Sequence, residues 1–351
     1  MSADIGKRKG DHLDLAVDGD VGFRGKTTLF ENVRLVHDAL PDLDADAIDT
    51  SVVLLGKRLR APLLIAAMTG GTPRAGELNR RLAAIAEARG LGFGLGSQRA
   101  MHVDGGKRET YAVREAAPTT LVLGNVGVVQ ARAMSGEELS ALVADVGADA
   151  LCVHLNPAME IVQPGGDRDF RDGTATLARI VGELGVPVVA KETGCGLSRG
   201  VARRLHAAGV RHVDVSGAGG TSWVAVETHR AEGAAKELGE AFWDWGIPTA
   251  ATVAACAREP FETIIATGGV ASGLDVARAL VLGATAAGVA RPVLQALARD
   301  GEAGVHRLLD RIESELRAAM LLVGARDVAA LRRAPRVVTG ELRDWIAAWE
   351  E

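Results

Sequence analysis

A histidine, an asparagine and a glutamate follow one short apolar run, and these residue types could do chemistry together. The run covers residues 150–153, and His154, Asn156 and Glu160 come soon after it. Such a run is typical of a buried strand, so the three side chains leave the core where a strand opens into a loop. We expect Glu160 to face a cation, with His154 and Asn156 lining the same pocket. The alternative is that these polar groups only satisfy the loop backbone.

A pair of glycines and a later arginine indicate a phosphate pocket. Gly268 and Gly269 precede a predicted helix, and Ala290 and Arg291 follow the next apolar run. Backbone N–H groups and a helix N-terminus bind an anion at such a place, and Thr221 would add a hydroxyl. For the glycines, a simple tight turn is the alternative.

A phosphate there, with polar atoms after the other apolar runs, indicates flavin mononucleotide (FMN). Thr69, Ser97 and Asn125 each follow such a run and would hydrogen-bond the edge of the flavin ring. Lys191 is a single cation at another run end. We expect its charge beside flavin N1 and the C2 carbonyl, where it favours an anionic reduced flavin. A surface ion pair is the alternative for this lysine.

A third group of donors is rich in positive charge. It has the donors that a diphosphate needs and consists of Arg8, Lys9, Ser97, Gln98 and Arg99. Glu160 could hold a Mg²⁺ ion that bridges diphosphate oxygens, because this ion prefers few carboxylates plus phosphate and water. His12 joins the site if the N-terminal segment folds over it. A solvated terminus is the alternative for Arg8 and Lys9.

A regular alternation of apolar runs and helical patterns has to position these groups. The eight runs are residues 62–68, 92–96, 120–124, 150–153, 186–190, 212–215, 263–266 and 284–289. Helical patterns lie between them at residues 76–89, 135–146, 174–184, 198–208 and 274–282, and Ser135 with Glu138 forms a capping-box signature. Continuous rather than alternating runs predict strands buried on both faces, as in a parallel sheet. The fold class is therefore α/β, and we favour a (β/α)8 TIM barrel over a doubly wound sheet because the motifs recur after nearly every run.

The same pattern divides the 351-residue chain into three parts. Residues 1–60 are mixed and polar, and we predict an N-terminal extension that packs over the barrel mouth. Residues 61–300 form the FMN-binding barrel, and residues 301–351 form a C-terminal helical segment for packing or oligomer contacts. The long connection from Ser216 to about Thr263 is typical of a lid or another functional insertion.

Composition excludes several classes of protein. The net charge of −5 argues against a nucleic-acid partner. Cys152, Cys195 and Cys256 show no spacing that predicts a disulfide framework or a zinc site. No apolar run reaches the length of a membrane span, and residues 1–10 lack the apolar region of a secretion signal. We therefore expect a cytoplasmic protein that binds neither nucleic acid nor membrane.

The ordered set of motifs closely resembles the type 2 isopentenyl-diphosphate isomerase family. The resemblance depends on Arg8-Lys9 with His12, residues 67–71, residues 96–99, Gly124-Asn125, residues 154–157 with Glu160, Lys191-Glu192, Ser216, residues 219–223 and Gly268-Gly269. It implies a TIM barrel that carries FMN and needs Mg²⁺, with NADPH to keep the flavin reduced. It also implies interconversion of isopentenyl and dimethylallyl diphosphate, and assembly into a homotetramer or homo-octamer.

The resemblance also implies roles for individual residues. Substrate contacts would come from Arg8, Lys9, Ser97, Gln98, Arg99 and Met159, and the metal contact from Glu160. FMN contacts would come from Ala67, Met68, Thr69, Ser97, Asn125, Lys191, Ser216, Thr221, Gly269, Val270, Ala271, Ala290 and Arg291. The catalytic candidates are His12, His154, Met159 and Lys191.

Two positions depart from the family pattern. Met159 replaces a glutamine that contacts substrate in the family, and a methionine cannot donate a hydrogen bond. Gly268-Gly269-Val270-Ala271 lacks an arginine that the family has near the FMN phosphate, which Arg291 would offset. A diverged FMN-binding paralogue with weak or altered activity is therefore the first alternative.

An α-hydroxy-acid oxidase is the second alternative. Such enzymes carry a histidine and arginine pair on the late strands. After the seventh run this sequence has only His306, in a helical pattern. Oxidation of lactate or glycolate is therefore disfavoured.

Overall fold

The barrel predicted from the apolar runs is present. The computed structural model describes residues 2–349, with side chains from residue 8 onward. Its strands are β1 (Val33–Leu35), β2 (Val52–Leu54), β3 (Lys57–Leu59), β4 (Leu63–Ile65), β5 (Gly92–Gly94), β6 (Val122–Gly127), β7 (Ala150–Leu155), β8 (Val188–Glu192), β9 (His212–Asp214), β10 (Thr263–Ala266), β11 (Ala286–Val289) and β12 (Arg336–Val338). Strands β4 to β11 pair in parallel, each with the next along the chain, and β11 closes the barrel on β4. Each predicted run overlaps one of these eight strands, so the TIM-barrel prediction is confirmed.

Helices surround the barrel and continue past it. They are α1 (Ser2–Asp18), α2 (Pro73–Arg89), α3 (Arg99–Val103), α4 (Val128–Ala133), α5 (Gly136–Val146), α6 (Pro157–Val162), α7 (Gly173–Glu183), α8 (Arg199–Ala207), α9 (Trp223–Arg230), α10 (Gly233–Ala241), α11 (Thr249–Cys256), α12 (Gly273–Leu282), α13 (Arg291–Leu322), α14 (Val328–Arg332) and α15 (Gly340–Ala347). Short 3-10 helices span Phe30–Asn32, Ala45–Ala47 and Gly105–Tyr111. The capping box predicted at Ser135 and Glu138 is formed at the start of α5. No helix in the described part of the chain is long and apolar enough to cross a membrane.

The core explains why the strands read as continuous apolar runs. Side chains alternate across each strand, so Leu64 and Leu123 belong to a cluster inside the barrel. Leu63 and Ile65 belong to the larger cluster shared with the helices. Both faces of each barrel strand are therefore buried, and the strands appear in the sequence as continuous apolar runs rather than as alternating apolar and polar residues.

The terminal segments contact each other and the barrel mouth. β1 pairs antiparallel with β12, and β2 pairs with β3. β12 did not stand out in the sequence because it is short and largely exposed. α13 crosses residue 300 and changes direction at Gly301, whose φ is 64°. The division of the chain at residues 61 and 301 stays a prediction.

The long connection after β9 is helical. It contains α9, α10 and α11, and α9 contacts α1 beside the barrel mouth. Leu13 and Ala16 of α1 pack against Ala75 and Leu294, so the N-terminal helix is anchored by apolar contacts as well. The two segments that the sequence suggested as covers therefore meet above the strand ends.

Candidate functional site

One cavity at the carboxyl ends of the barrel strands collects nearly all of the predicted site residues. Its volume is about 470 Å³, within the range that small-molecule sites have. Its walls include Arg8, Lys9, His12, Ala67, Met68, Thr69, Ser97, Arg99, Asn125, His154, Met159, Glu160, Lys191, Ser216, Thr221, Gly269, Val270, Ala271, Ala290 and Arg291. The strand ends of a barrel converge, so distant motifs meet here.

Gln98 is the predicted site residue that the structure does not bring to the cavity. Its side chain is fully buried. Its Nε2 donates to the carbonyl of Leu142 (2.9 Å), and its Oε1 accepts from the backbone N–H of Asn125 (2.8 Å). Gln98 thus supports the end of β6 from behind, and the substrate contact expected of it has no basis in this geometry.

The glycine motifs form a close backbone cradle at one end of the cavity. Gly268 and Gly269 have φ of 96° and 76°, a region that favours glycine. A Cβ on Gly268 would overlap the carbonyl of Gly217, and one on Gly220 would overlap the backbone of Gly269. Side chains are thereby excluded, and an anion can reach the backbone directly. These features fit a bound phosphate.

Arg291 reaches this end of the cavity but is already engaged. Its Nε donates to the carbonyl of Ala16 (2.9 Å), and one terminal nitrogen donates to the carbonyl of Gly19 (2.6 Å). Burial lowers the pKa of Arg291. The guanidinium therefore connects the C-terminal end of α1 to the start of α13, and it lines the same cavity as Gly268 and Gly269.

His154 is held as a neutral base on the cavity wall. The Nδ2 of Asn125 donates to the carbonyl of Leu95 (3.0 Å), which leaves its Oδ1 to accept from His154 Nδ1 (2.9 Å). This orientation assigns the proton to Nδ1 and a free lone pair to Nε2. Burial, together with the charges of Lys191, Lys9 and Arg99, lowers the pKa of His154 to about 4. The imidazole is uncharged at neutral pH.

Lys191 is buried beside a carboxylate that sequence reasoning missed. Its Nζ donates to the carbonyl of Glu192 (2.8 Å) and lies 3.5 Å from Asp214 Oδ2. Burial raises the pKa of Asp214, which accepts from the hydroxyl of Thr267. The signal in the sequence was an aspartate inside an apolar run, and the pairing of β8 with β9 sets it opposite Lys191. A surface ion pair for Lys191 is thus excluded.

Glu192 shapes the loop after β8 without lining the cavity. It accepts from the backbone N–H groups of Cys195 and Gly196. Burial raises the pKa of Glu192 to about 7. The loop that it holds contributes Thr193 and Gly194 to the cavity wall.

Glu160 sits in a polar nest near the positive end of the cavity. It accepts from Asn156 Nδ2 (2.8 Å), Gln163 Nε2 (3.2 Å) and the backbone N–H of Asp167 (2.8 Å). Among the residues that the structure describes, no three acidic, histidine or cysteine side chains are grouped to hold a metal ion. A single carboxylate fits Mg²⁺ only when phosphate and water supply most of the ligands.

The predicted cations surround that end. Arg99 lies 3.5 Å from Asp167, and Lys9 Nζ donates to the carbonyl of Ser97 (3.0 Å). The Nε of Arg8 is buried and has no partner within the described part of the chain. These groups leave positive charge facing the cavity, which suits an anionic ligand.

His12 enters the cavity from α1 and is fixed by the connection after β9. Its Nε2 lies 2.7 Å from Glu227, which is fully buried and also pairs with Arg230 (2.6 Å). The indole of Trp223 packs edge-on against the imidazole. Sequence reasoning missed Glu227, because nothing in α9 separates a buried acid from a solvated one.

Comparisons with known proteins show the family to which the chain belongs. The FMN-dependent dehydrogenase family matches residues 2–155 and 173–338. Isopentenyl-diphosphate delta-isomerase of Methanosarcina barkeri is 45% identical over 97% of this chain and 94% of its own. That of Halobacterium salinarum is 44% identical over 97% and 95%. That of Thermococcus kodakarensis is 43% identical over 97% and 93%.

Solved structures share the fold. A mandelate oxidase mutant with a monooxide FMN adduct superposes with a TM-score of 0.64 at 21% identity, over 93% of this chain and 95% of that one. Mandelate oxidase with (S)-2-phenylpropionate gives 0.63 at 22% identity, over 96% and 98%. At this identity the likeness concerns the fold alone.

Proposed function

Because the chain belongs to the FMN-dependent dehydrogenase family, and within it to the isopentenyl-diphosphate delta-isomerases, we propose that it is a flavin-using isomerase. It interconverts isopentenyl diphosphate and dimethylallyl diphosphate in isoprenoid biosynthesis. The observation that carries the proposal is a single cavity with a backbone phosphate cradle at one end and a cluster of cations around Glu160 at the other. One end suits the phosphate of FMN, and the other suits a diphosphate.

FMN is held by backbone and side-chain donors that the cavity already presents. The cradle at Gly268 and Gly269 would hold the phosphate, and Thr69, Asn125 and Lys191, which line the same cavity, would contact the ring. The buried Lys191–Asp214 pair keeps the ammonium in place. When bound and reduced, FMN supplies an electron-rich surface that stabilises positive charge on a small alkene. NADPH is the proposed source of the reducing electrons.

The diphosphate anchors the substrate at the opposite end. Arg8, Lys9 and Arg99 supply the positive charge, and Glu160 would hold a Mg²⁺ ion, which would add positive charge beside the diphosphate. The Nε of Arg8 has no acceptor among the described residues, and a phosphate oxygen would accept a hydrogen bond from it. This anchoring lets remote binding energy position the alkene.

The reaction itself moves two protons without net oxidation. One proton reaches the terminal alkene carbon, and another leaves the neighbouring methylene. An alkene is a weak base, so the proton donor has to act in a site that excludes water. Leu13, Met68 and Trp223 on the wall provide that apolar enclosure. His154, with its free Nε2, and His12, paired with Glu227, are the side chains placed to hold or move a proton.

Met159 makes a slower or altered relative the second candidate. It lies on the cavity wall, where its thioether can accept a weak hydrogen bond but cannot donate one. A paralogue that binds prenyl diphosphates without turning them over would keep every other feature of the cavity. Assembly into a homotetramer or homo-octamer and a cytoplasmic location also stay proposals, which sedimentation and cell fractionation test.

The test is anaerobic turnover with a matched negative substrate. The purified chain is loaded with FMN, reduced with NADPH and given Mg²⁺ with isopentenyl diphosphate. We expect dimethylallyl diphosphate to form only when FMN is present, and we expect no flavin reduction by mandelate or lactate. Diphosphate binding without product would favour the non-catalytic paralogue, and flavin reduction by a hydroxy acid would favour an oxidase.

A further inference from the structure

The only tyrosine of the chain lies directly behind the predicted diphosphate end of the cavity. Tyr111 ends the 3-10 helix Gly105–Tyr111 and is fully buried. Its ring fills the space above Gly70, where a Cβ would overlap it. The glycine pair after β4 therefore accommodates this ring, which no motif in the sequence suggested.

The Tyr111 hydroxyl joins two groups of the cavity wall. It donates to the carbonyl of Ser97 (2.7 Å) and accepts from Lys9 Nζ (2.8 Å). Burial raises the pKa of Tyr111, so the phenol keeps its proton across the physiological range. Lys9 Nζ also donates to the Ser97 carbonyl (3.0 Å), which closes a three-membered network.

Among the side chains that the structure describes, Lys9 is held by neutral acceptors alone. Within the described residues, no carboxylate lies within ion-pair distance of its Nζ. The charged or titratable groups that face it are Arg8 on α1, Lys107 and Tyr111 on the 3-10 helix, and His154 across the cavity, which Arg99 also faces. Burial, followed by Arg8 and Lys107, lowers the pKa of Lys9 to about 7. A buried ammonium that lacks a countercharge gains one when an anion enters the cavity.

We propose that Tyr111 is a positioning residue that aims the Lys9 ammonium at the anion-binding end of the cavity. Two acceptors fix Nζ, and the third N–H is left for the ligand. The proposal rests on the proposed function for the identity of the ligand, a diphosphate ester. Because the two acceptors of Lys9 are neutral, an anion at the third N–H favours the charged form of Lys9, so ligand binding and protonation of Lys9 are linked.

The first experiment uses the single tyrosine as a probe. The full chain, loaded with FMN, is labelled with 3-fluorotyrosine, and its one ¹⁹F resonance is followed from about pH 5.5 to about pH 9. We expect an inflection near neutral pH that moves upward by about one unit or more with saturating inorganic diphosphate. Lys9→Met removes the inflection. A flat titration, or the same inflection in Lys9→Met, overturns the proposal.

The second experiment measures coupling between the two side chains. Tyr111→Phe keeps the ring and removes the oxygen. We expect it to weaken inorganic diphosphate binding roughly tenfold while FMN binding is unchanged, and to have no further effect in a Lys9→Met background. Thr110→Val is the control, since within the described residues the Thr110 hydroxyl bonds to the backbone at Gly71 and Lys107 and not to Lys9 or Tyr111.

Additive effects in the double variant would show that Tyr111 acts only on general packing and would overturn the proposal. If Tyr111→Phe fails to retain FMN, the ¹⁹F titration of the native sequence still tests the proposed contact between Tyr111 and Lys9. Neither measurement involves turnover, so a failure of the isomerase assay stays distinguishable from a failure here.

Discussion

Individual residues in this cavity are tuned by burial more than by close partners. Burial is the largest cause in each case. It lowers the pKa of His154 to about 4 and that of Lys9 to about 7, and it raises the pKa of Glu192, in the loop beside the cavity, to about 7. A dry cavity that holds neutral imidazole beside cations favours anionic ligands and discourages extra protons. The sequence showed which residue types were present, but burial depends on the complete fold and could not be inferred from it.

The first residue-scale prediction concerns Met159. Met159→Gln should raise the turnover number by roughly three- to tenfold, the factor expected when a hydrogen bond of about 1 kcal/mol is gained in the transition state. Met159→Leu is the matched control, because it keeps the apolar volume and should stay near the native rate. Steady-state kinetics with isopentenyl diphosphate measure both. A glutamine variant no faster than the leucine variant would show that this position does not limit the reaction.

A second residue-scale prediction concerns acid stability. The pKa of His154 is about 4 in the folded chain and 6.5 as the ordinary value, so the unfolded chain binds the proton first as pH falls. The contribution of neutral His154 to the free energy of unfolding is therefore fully present above about pH 6.5, and it is lost as the pH falls toward about 4. Between about pH 7.5 and about pH 4.5 the native chain loses unfolding free energy, and His154→Gln should reduce that loss by on the order of 2 kcal/mol.

Urea unfolding at the two pH values measures this difference. His102→Gln is the control, since His102 is exposed and should leave the acid dependence at the native value. Equal acid dependence in the native chain and in His154→Gln would contradict the assigned protonation of His154.

At the scale of elements, α1 is the part that completes the site. It brings Arg8, Lys9 and His12 over the mouth, and α9 and α13 hold it through Glu227 and Arg291.

The apolar runs predicted all eight barrel strands because a strand buried on both faces has a continuous run of apolar residues in its own sequence. That residues 1–60 begin with a helix went unpredicted, since its polar and charged residues obscure the few apolar contacts at Leu13 and Ala16. Gln98 was expected to line the cavity, but its side chain points away from it. The motif at residues 96–99 predicts the end of a strand and does not predict the direction of each side chain.

The element-scale prediction concerns the attachment of α1. Arg291→Met removes two hydrogen bonds to the end of α1, so this helix should open more often. We expect cleavage within α1 to become roughly tenfold faster in limited proteolysis. Arg299→Met is the control on the same α13 helix, because Arg299 is exposed and pairs only with Asp300 in the described structure. Cleavage at the native rate in Arg291→Met would contradict the proposed attachment.

At the scale of the whole molecule, the barrel brings residues from distant parts of the chain to one cavity. Motifs separated by more than two hundred residues, from Thr69 to Arg291, line one cavity because the strand ends meet. Their order along the chain therefore predicted the pooled site, once the barrel was assumed. The pairs that depend on strand register or on packing between terminal segments, such as Lys191 with Asp214 and His12 with Glu227, required the structure.

The central claim is that this cavity uses reduced FMN to move protons without consuming electrons. The most direct measurement counts molecules of dimethylallyl diphosphate formed per NADPH oxidised, under anaerobic conditions with FMN and Mg²⁺. The account predicts many product molecules for each NADPH, since the flavin has to be reduced only once. One product or fewer per NADPH would contradict it and would indicate a redox reaction instead.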